Sequence, residues 1–192
     1  MITHLPHSET LPVNLLSAAF GKTTATYKFY WFLSILQIVE EGNVIIPKKE
    51  IFSRMISNAW YTVNYFKISF GKHDKVQEAV EILKKTENIP IDERRELVFS
   101  KVLLSSNRES LNAIMHFDKQ VPHWFLSPWF PKYSRQGIYK ASQELLNNCP
   151  YRLFPDRIEI NPAWVSYLTN NSKRFLFLEF MLVPSNKKSK CS

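Results

Sequence analysis

The sequence predicts a mainly α fold, a bundle-like packing of several helices with one short β-hairpin near residues 151–160. Three observations lead there. Apolar side chains recur at helical spacing in several separate windows, Pro and Asx residues punctuate those windows where caps belong, and only YRLF and RIEI, residues 151–154 and 157–160, alternate as strands do. The 192 residues are 45% hydrophobic and 14% aromatic, and a chain of this size buries roughly 70% of its unfolded surface without disulfide or structural metal. A disordered chain, a collagen-like fibre and a disulfide-stapled secreted module are excluded.

Residues 1–11, with His4, Pro6 and His7, read as a flexible lead-in. From about Thr24 to Glu41 apolar side chains occupy nearly every helical face, with Thr26 as cap and Gly42–Asn43 as stop, which predicts a central helix buried almost all round. Pro47 suits a first helical turn, and Ile51, Met55 and Ala59 recur at spacing four, giving a second helix to about Tyr61. Asp74 caps a third, in which Val76, Ala79, Val80 and Leu83 form one apolar stripe. After Pro90, Asp92 opens a fourth helix carrying Leu97, Val98 and Val102, and Asn107–Phe117 supplies a short fifth. The stretch VPHWFLSPWFP, residues 121–131, holds three prolines and four large aromatics and reads as an ordered loop packed by its own rings. A helix over about Ser134–Asn147 follows, then the hairpin, then a long helix opened by Asn161–Pro162. The organisation expected is a lead-in (1–11), an N-terminal helical unit (12–117), a C-terminal unit packed on it (118–184) and a flexible basic tail (185–192).

Charge is uneven along the chain. Residues 1–100 hold 12 Lys+Arg and 11 Asp+Glu, whereas residues 101–192 hold 13 and 6, so nearly all of the net +8 lies in the second half. Such a field draws a polyanion with salt-sensitive affinity, nucleic acid being the commonest inside cells, although a solvated surface has the same composition. Cys149 and Cys191 are far apart, which favours a reducing compartment, and no signal peptide or membrane-length apolar run is present, so a cytoplasmic protein is expected.

Catalytic signatures are few. Gly21, Gly42, Gly71 and Gly137 form no phosphate-binding loop, no serine elbow occurs, and Cys149 lacks an activating neighbourhood. His116, Asp118 and His123 are the one compact His/Asp group, a candidate metal-hydrolase set, but Pro122, Pro128 and Pro131 obstruct the hairpin that would aim it. The informative stretch is AWYTVNYFKISFGKHDK, residues 59–75, where aromatic rings interleave with Lys67, Lys72 and Lys75 in a pattern suited either to stacking beside phosphates or to a plain core and turn. Lys28, on an otherwise apolar helix, either faces a groove or snorkels at the helix start.

Four blocks in order, TYKFYWFLSIL (26–36), AWYTVNYFKISFGKHDK (59–75), VPHWFLSPWF (121–130) and YRLF…IEINPAWVSYLTNN (151–171), resemble the N-terminal region of bacterial HNH endonuclease-domain proteins of roughly twice this length. The resemblance spans about residues 12–178 and ends before the nuclease domain, whose histidines and asparagine hold a divalent metal; no catalytic residue and no metal or other cofactor carries over to this chain. It implies a truncated, non-catalytic companion region that holds DNA or docks the nuclease domain. Lys67, Lys72 and Lys75, with Lys28, Arg152, Arg157, Lys173 and Arg174, are then the candidate nucleic-acid contacts. The competing reading is a protein-interaction or homo-oligomerisation module built on the aromatic segment 121–131 and the last helix.

Overall fold

The protein is described by a computed structural model over residues 5–21, 27–65 and 75–182, with side chains as far as residue 175. The chain is mainly helical with a small antiparallel sheet. Helices α1 (Val13–Gly21) and α2 (Tyr27–Glu40) precede strand β1 (Ile45–Pro47) and helices α3 (Lys48–Asn64), α4 (Lys75–Thr86), α5 (Arg95–Leu104) and α6 (Arg108–Met115). A 3-10 turn, His116–Lys119, leads into α7 (Val121–Leu126) and α8 (Arg135–Ser142), then β2 (Tyr151–Leu153), β3 (Arg157–Ile160) and α9 (Pro162–Leu182). No helix among the described residues is long and apolar enough to cross a membrane.

The expected central helix is α2. Trp31, Ile35, Leu36, Ile38 and Val39 are all buried, and the helix packs against α3, α7 and α9. Gly42 ends it at φ 88°, a left-handed value that only a residue without Cβ adopts freely, while Asn43 N–H donates to Ile38 O at 3.2 Å. Thr26 and Asp74, expected as caps, lie outside the described residues. The caps at Asn107 and Asn161 form: Asn107 accepts from Glu109 N at 2.9 Å and Ser110 N at 3.2 Å, and Asn161 accepts from Ala163 N at 3.1 Å with Pro162 opening α9. Asp92 opens no helix. It is consumed in a turn after Pro90, and α5 starts at Arg95.

Three further readings are corrected. The segment 121–131 is not all loop: Pro122 lies in the first turn of α7, where its missing N–H costs nothing, and Phe125 packs on Phe20 and Phe32 of distant helices instead of on its neighbours. The helix expected to reach Asn147 stops at Ser142, because buried Ser142 Oγ accepts from Leu153 N at 3.1 Å and Asn148 turns the chain at φ 47°. The hairpin is the larger part of a three-stranded sheet, order β1-β3-β2, in which Ile46 opposes Ile158 and Lys48 N–H extends the ladder to Asp156 O at 2.9 Å.

The expected lead-in is also held where it is described: Tyr167 donates to Pro6 O at 2.7 Å, Asn148 donates to Thr10 O at 3.1 Å, and Leu11 is buried. One apolar cluster extends from Leu11 to Phe175 and joins both expected units. At its centre Trp31 Nε1 donates to the Tyr151 hydroxyl at 3.1 Å, which donates to Pro122 O at 2.7 Å. Buried donors of this kind need partners, since an unsatisfied one costs about 1–3 kcal/mol.

Candidate nucleic-acid interface

Of the eight cations singled out in the sequence, six fall among the described residues, and four of those are engaged locally. Lys67 and Lys72 lie outside the described residues. Lys75 forms an ion pair with Glu78 along the exposed face of α4. Lys28 donates to Ala19 O at 2.9 Å near the end of α1, and burial lowers the pKa of its ammonium group. Arg152 and Arg157 both engage Glu159, Arg157 also meets Asp156 at 3.3 Å, and both guanidinium groups lie over the Phe154 ring. The hydrogen bond to Glu159 raises the pKa of Arg157. Lys173 and Arg174 are exposed on α9, remote in sequence from the others. Lys28, Lys75, Arg152 and Arg157 are therefore engaged locally, and the two arginines are balanced by Asp156 and Glu159.

The aromatic stretch 59–75 divides in the same way. Trp60 is core, 1% exposed, with Nε1 donating to Pro90 O at 3.1 Å. Tyr61 and Tyr65 are exposed and stacked, with centroids 4.9 Å apart.

A different segment is rich in cations, and the carboxylate just before it, Asp118, meets Arg135. Residues 119–143 contain Lys119, Lys132, Arg135 and Lys140 and not one Asp or Glu. All four are exposed. The segment covers α7, α8 and the connection between them, and two rings stand out from it: Trp124 is 54% exposed and Tyr133 57%. The fold gathers these parts. Arg135 Nη2 reaches Asp118 Oδ2 at 3.1 Å, which brings the start of α8 beside Lys119; His123 rests against Trp124, with centroids 5.5 Å apart and the charge of Arg135 close by. This surface was readable as a 25-residue gap in the acidic residues, a signal hidden when charge is summed over half the chain.

Beneath that surface sits a polar knot. Lys48, the first residue of α3, is fully buried, and its Nζ donates to Asp118 Oδ1 at 2.7 Å, the Tyr139 hydroxyl at 2.7 Å and Pro155 O at 3.0 Å. Asp118 also holds Arg135, whose guanidinium lies 5.6 Å from the centre of the Tyr139 ring. The knot fixes α3, the 3-10 turn, α8 and the turn of the hairpin to one another. Because Asp118 bridges an inner and an outer cation, it positions Arg135 and is not left over as a base or ligand.

The His116, Asp118 and His123 group does not assemble as a metal site. Among the described residues no group of three or more His, Cys, Asp and Glu is placed to hold an ion. His123 is 6% exposed, its Nδ1 has no hydrogen-bond partner, and burial, reinforced by the cations Arg135 and Lys48 against the opposing pull of Asp118, lowers its pKa to about 4. It is a neutral ring at physiological pH. Cys149 is buried, and desolvation pushes its thiol up to about 12, which makes it a poor nucleophile. A cleft of about 670 Å³ between α2, α3 and α5 is polar but internally balanced: Arg54 grips Glu41 at 2.5 and 3.0 Å and stacks on Phe99, and the Gln37 and Asn58 amides pair with each other.

No protein-family model, curated protein or solved structure matches the chain.

Proposed function

We propose that this chain is a non-catalytic, nucleic-acid-binding accessory region whose phosphate-facing surface is the segment 119–143. The observation that carries the reading is the exposed set Lys119, Lys132, Arg135 and Lys140 on packed elements with no carboxylate in the same stretch. Lys132 adds support. It adopts φ 72°, whereas the other non-glycine residues with positive φ among the described residues are Asn88 and Asn148, of the type that tolerates it. A lysine kept in a conformation that favours glycine is strained, and strain of that kind gathers at binding sites. The neutral buried His123, the doubly paired Asp118 and the high-pKa Cys149 support a binding role over a catalytic one. The resemblance to the companion region of HNH endonucleases supplies a setting in which such a surface holds DNA for a separate nuclease domain.

The test replaces Lys119 and Lys140 by Ser and Lys132 by Gly in one variant. Lys132→Gly relieves the backbone, so lost binding is not lost folding. Binding of a labelled oligonucleotide is measured between about 50 and 200 mM salt; the slope of log affinity against log salt falls by about 2–3, close to one phosphate contact per cation removed. An unchanged slope refutes the proposal.

A second reading, protein docking, is favoured by Leu145 and Leu146, 50% and 98% exposed on a 3-10 turn after α8. Sedimentation equilibrium checks it for self-association: a dimer that becomes monomeric on Leu146→Ser is the expected result, and a monomeric native chain removes that form of the reading.

A further inference from the structure

We propose that the 119–143 surface takes unpaired nucleotides, with bases stacking on Trp124 and Tyr133 while the cations face the phosphates; this rests on the nucleic-acid reading above and names its substrate class. A duplex shows a protein its phosphates and groove edges, and cations alone would serve it. Exposed rings beside cations are what single strands require, because every base has a stacking face and ring contacts tolerate any sequence.

The rings are presented deliberately by the fold. Trp31, Trp60 and Trp164 are at most 1% exposed and Trp129 is half-buried, so Trp124 is the tryptophan left at the surface. It stands on α7, whose next two residues, Phe125 and Leu126, are fully buried and lock the helix in place. Tyr133 is braced differently: its ring lies 5.8 Å from that of buried Phe130 and presses on Gly137, where a Cβ would meet Tyr133 Cδ1 at 3.0 Å. A glycine inside a short helix weakens it, and here its absent side chain leaves room for the ring. Trp124 is thus held by a helix and Tyr133 by its packing on Phe130 and Gly137, as stacking platforms need to be.

The experiment follows the intrinsic tryptophan fluorescence of the full chain as it is titrated with oligo-dT and oligo-U of about 15 nucleotides and with a duplex of equal length. Both single strands quench the emission, the duplex does not, and Trp124→Phe removes the quenching. Trp124→Ala, with an unaltered thermal melt, weakens single-strand binding roughly tenfold and leaves duplex binding unchanged; Tyr133→Ala acts in the same direction. Equal quenching by duplex, or native single-strand affinity in Trp124→Ala, overturns the inference. If the triple lysine variant still loses binding in that event, the phosphate-facing reading stands and only the stacking is wrong. Vesicles of phosphatidylglycerol that bind more tightly than either oligonucleotide, with a blue shift from Trp124, would assign the surface to a lipid headgroup layer and overturn both.

Discussion

Asp118→Ala loses about 3–5 kcal/mol of unfolding free energy, the largest effect expected of any single charge in the protein. The asymmetry of the pair is the reason. Lys48 is wholly buried and Asp118 keeps 21% of its side chain exposed, so removing the carboxylate strands a buried ammonium with only the Tyr139 hydroxyl and Pro155 O. The surviving hydrogen bonds are neutral and do not compensate the charge. Asp118→Asn keeps an acceptor and falls between the extremes. Lys48→Met combined with Asp118→Asn recovers much of the loss, since it removes the stranded charge instead of its partner. Denaturant titration of the three variants checks this; a loss under about 1 kcal/mol for Asp118→Ala would mean that the buried ammonium finds another partner.

The second large effect is on the acid limb of the stability curve. His123 has its folded pKa lowered to about 4 from an ordinary 6.5. Below pH 6.5 the unfolded chain takes up a proton there that the folded chain refuses, so stability declines as pH falls through this window. Below pH 4 both states are protonated and the contribution flattens. The window accounts for on the order of 3 kcal/mol. The groups facing the ring are Lys48 on α3, Asp118 on the 3-10 turn and Arg135 on α8. His123→Leu therefore shows a shallower decline between pH 6.5 and 4. Parallel native and variant curves, measured by denaturation at a series of pH values, would exclude His123 as the source.

Legibility in the sequence followed the range of the interaction responsible. The caps Asn107 and Asn161, the stop at Gly42 and the stripe of α4 are local, and local text predicts them. Strand β1 is three residues long and exists because β3 supplies its hydrogen bonds from more than 100 positions away; the run Val44–Ile45–Ile46 is its only trace in the sequence. The end of α8 at Ser142 likewise depends on Leu153 across the hairpin. Of the three prolines in 121–131 only Pro122 lies in α7, at a position where a helix accepts one. At the candidate site the exposed cations were countable, but which ones meet carboxylates was not: the engagement of Arg152 and Arg157 by Glu159 comes from strand pairing and a turn. The burial of Lys48, which stands in sequence beside Lys49 and Glu50, had no sequence signal at all.

The contact chain from Trp31 through Tyr151 to Pro122 bears on how the polypeptide is completed during synthesis. The indole of α2 leaves the ribosome long before the phenol that accepts its hydrogen bond, and β1 likewise waits for its partner strand. A nascent chain paused within the 118–133 stretch carries an apolar α2 with one flank bare, at the stage when self-association is easiest. Dividing the gene there would make that interim state permanent in the N-terminal product.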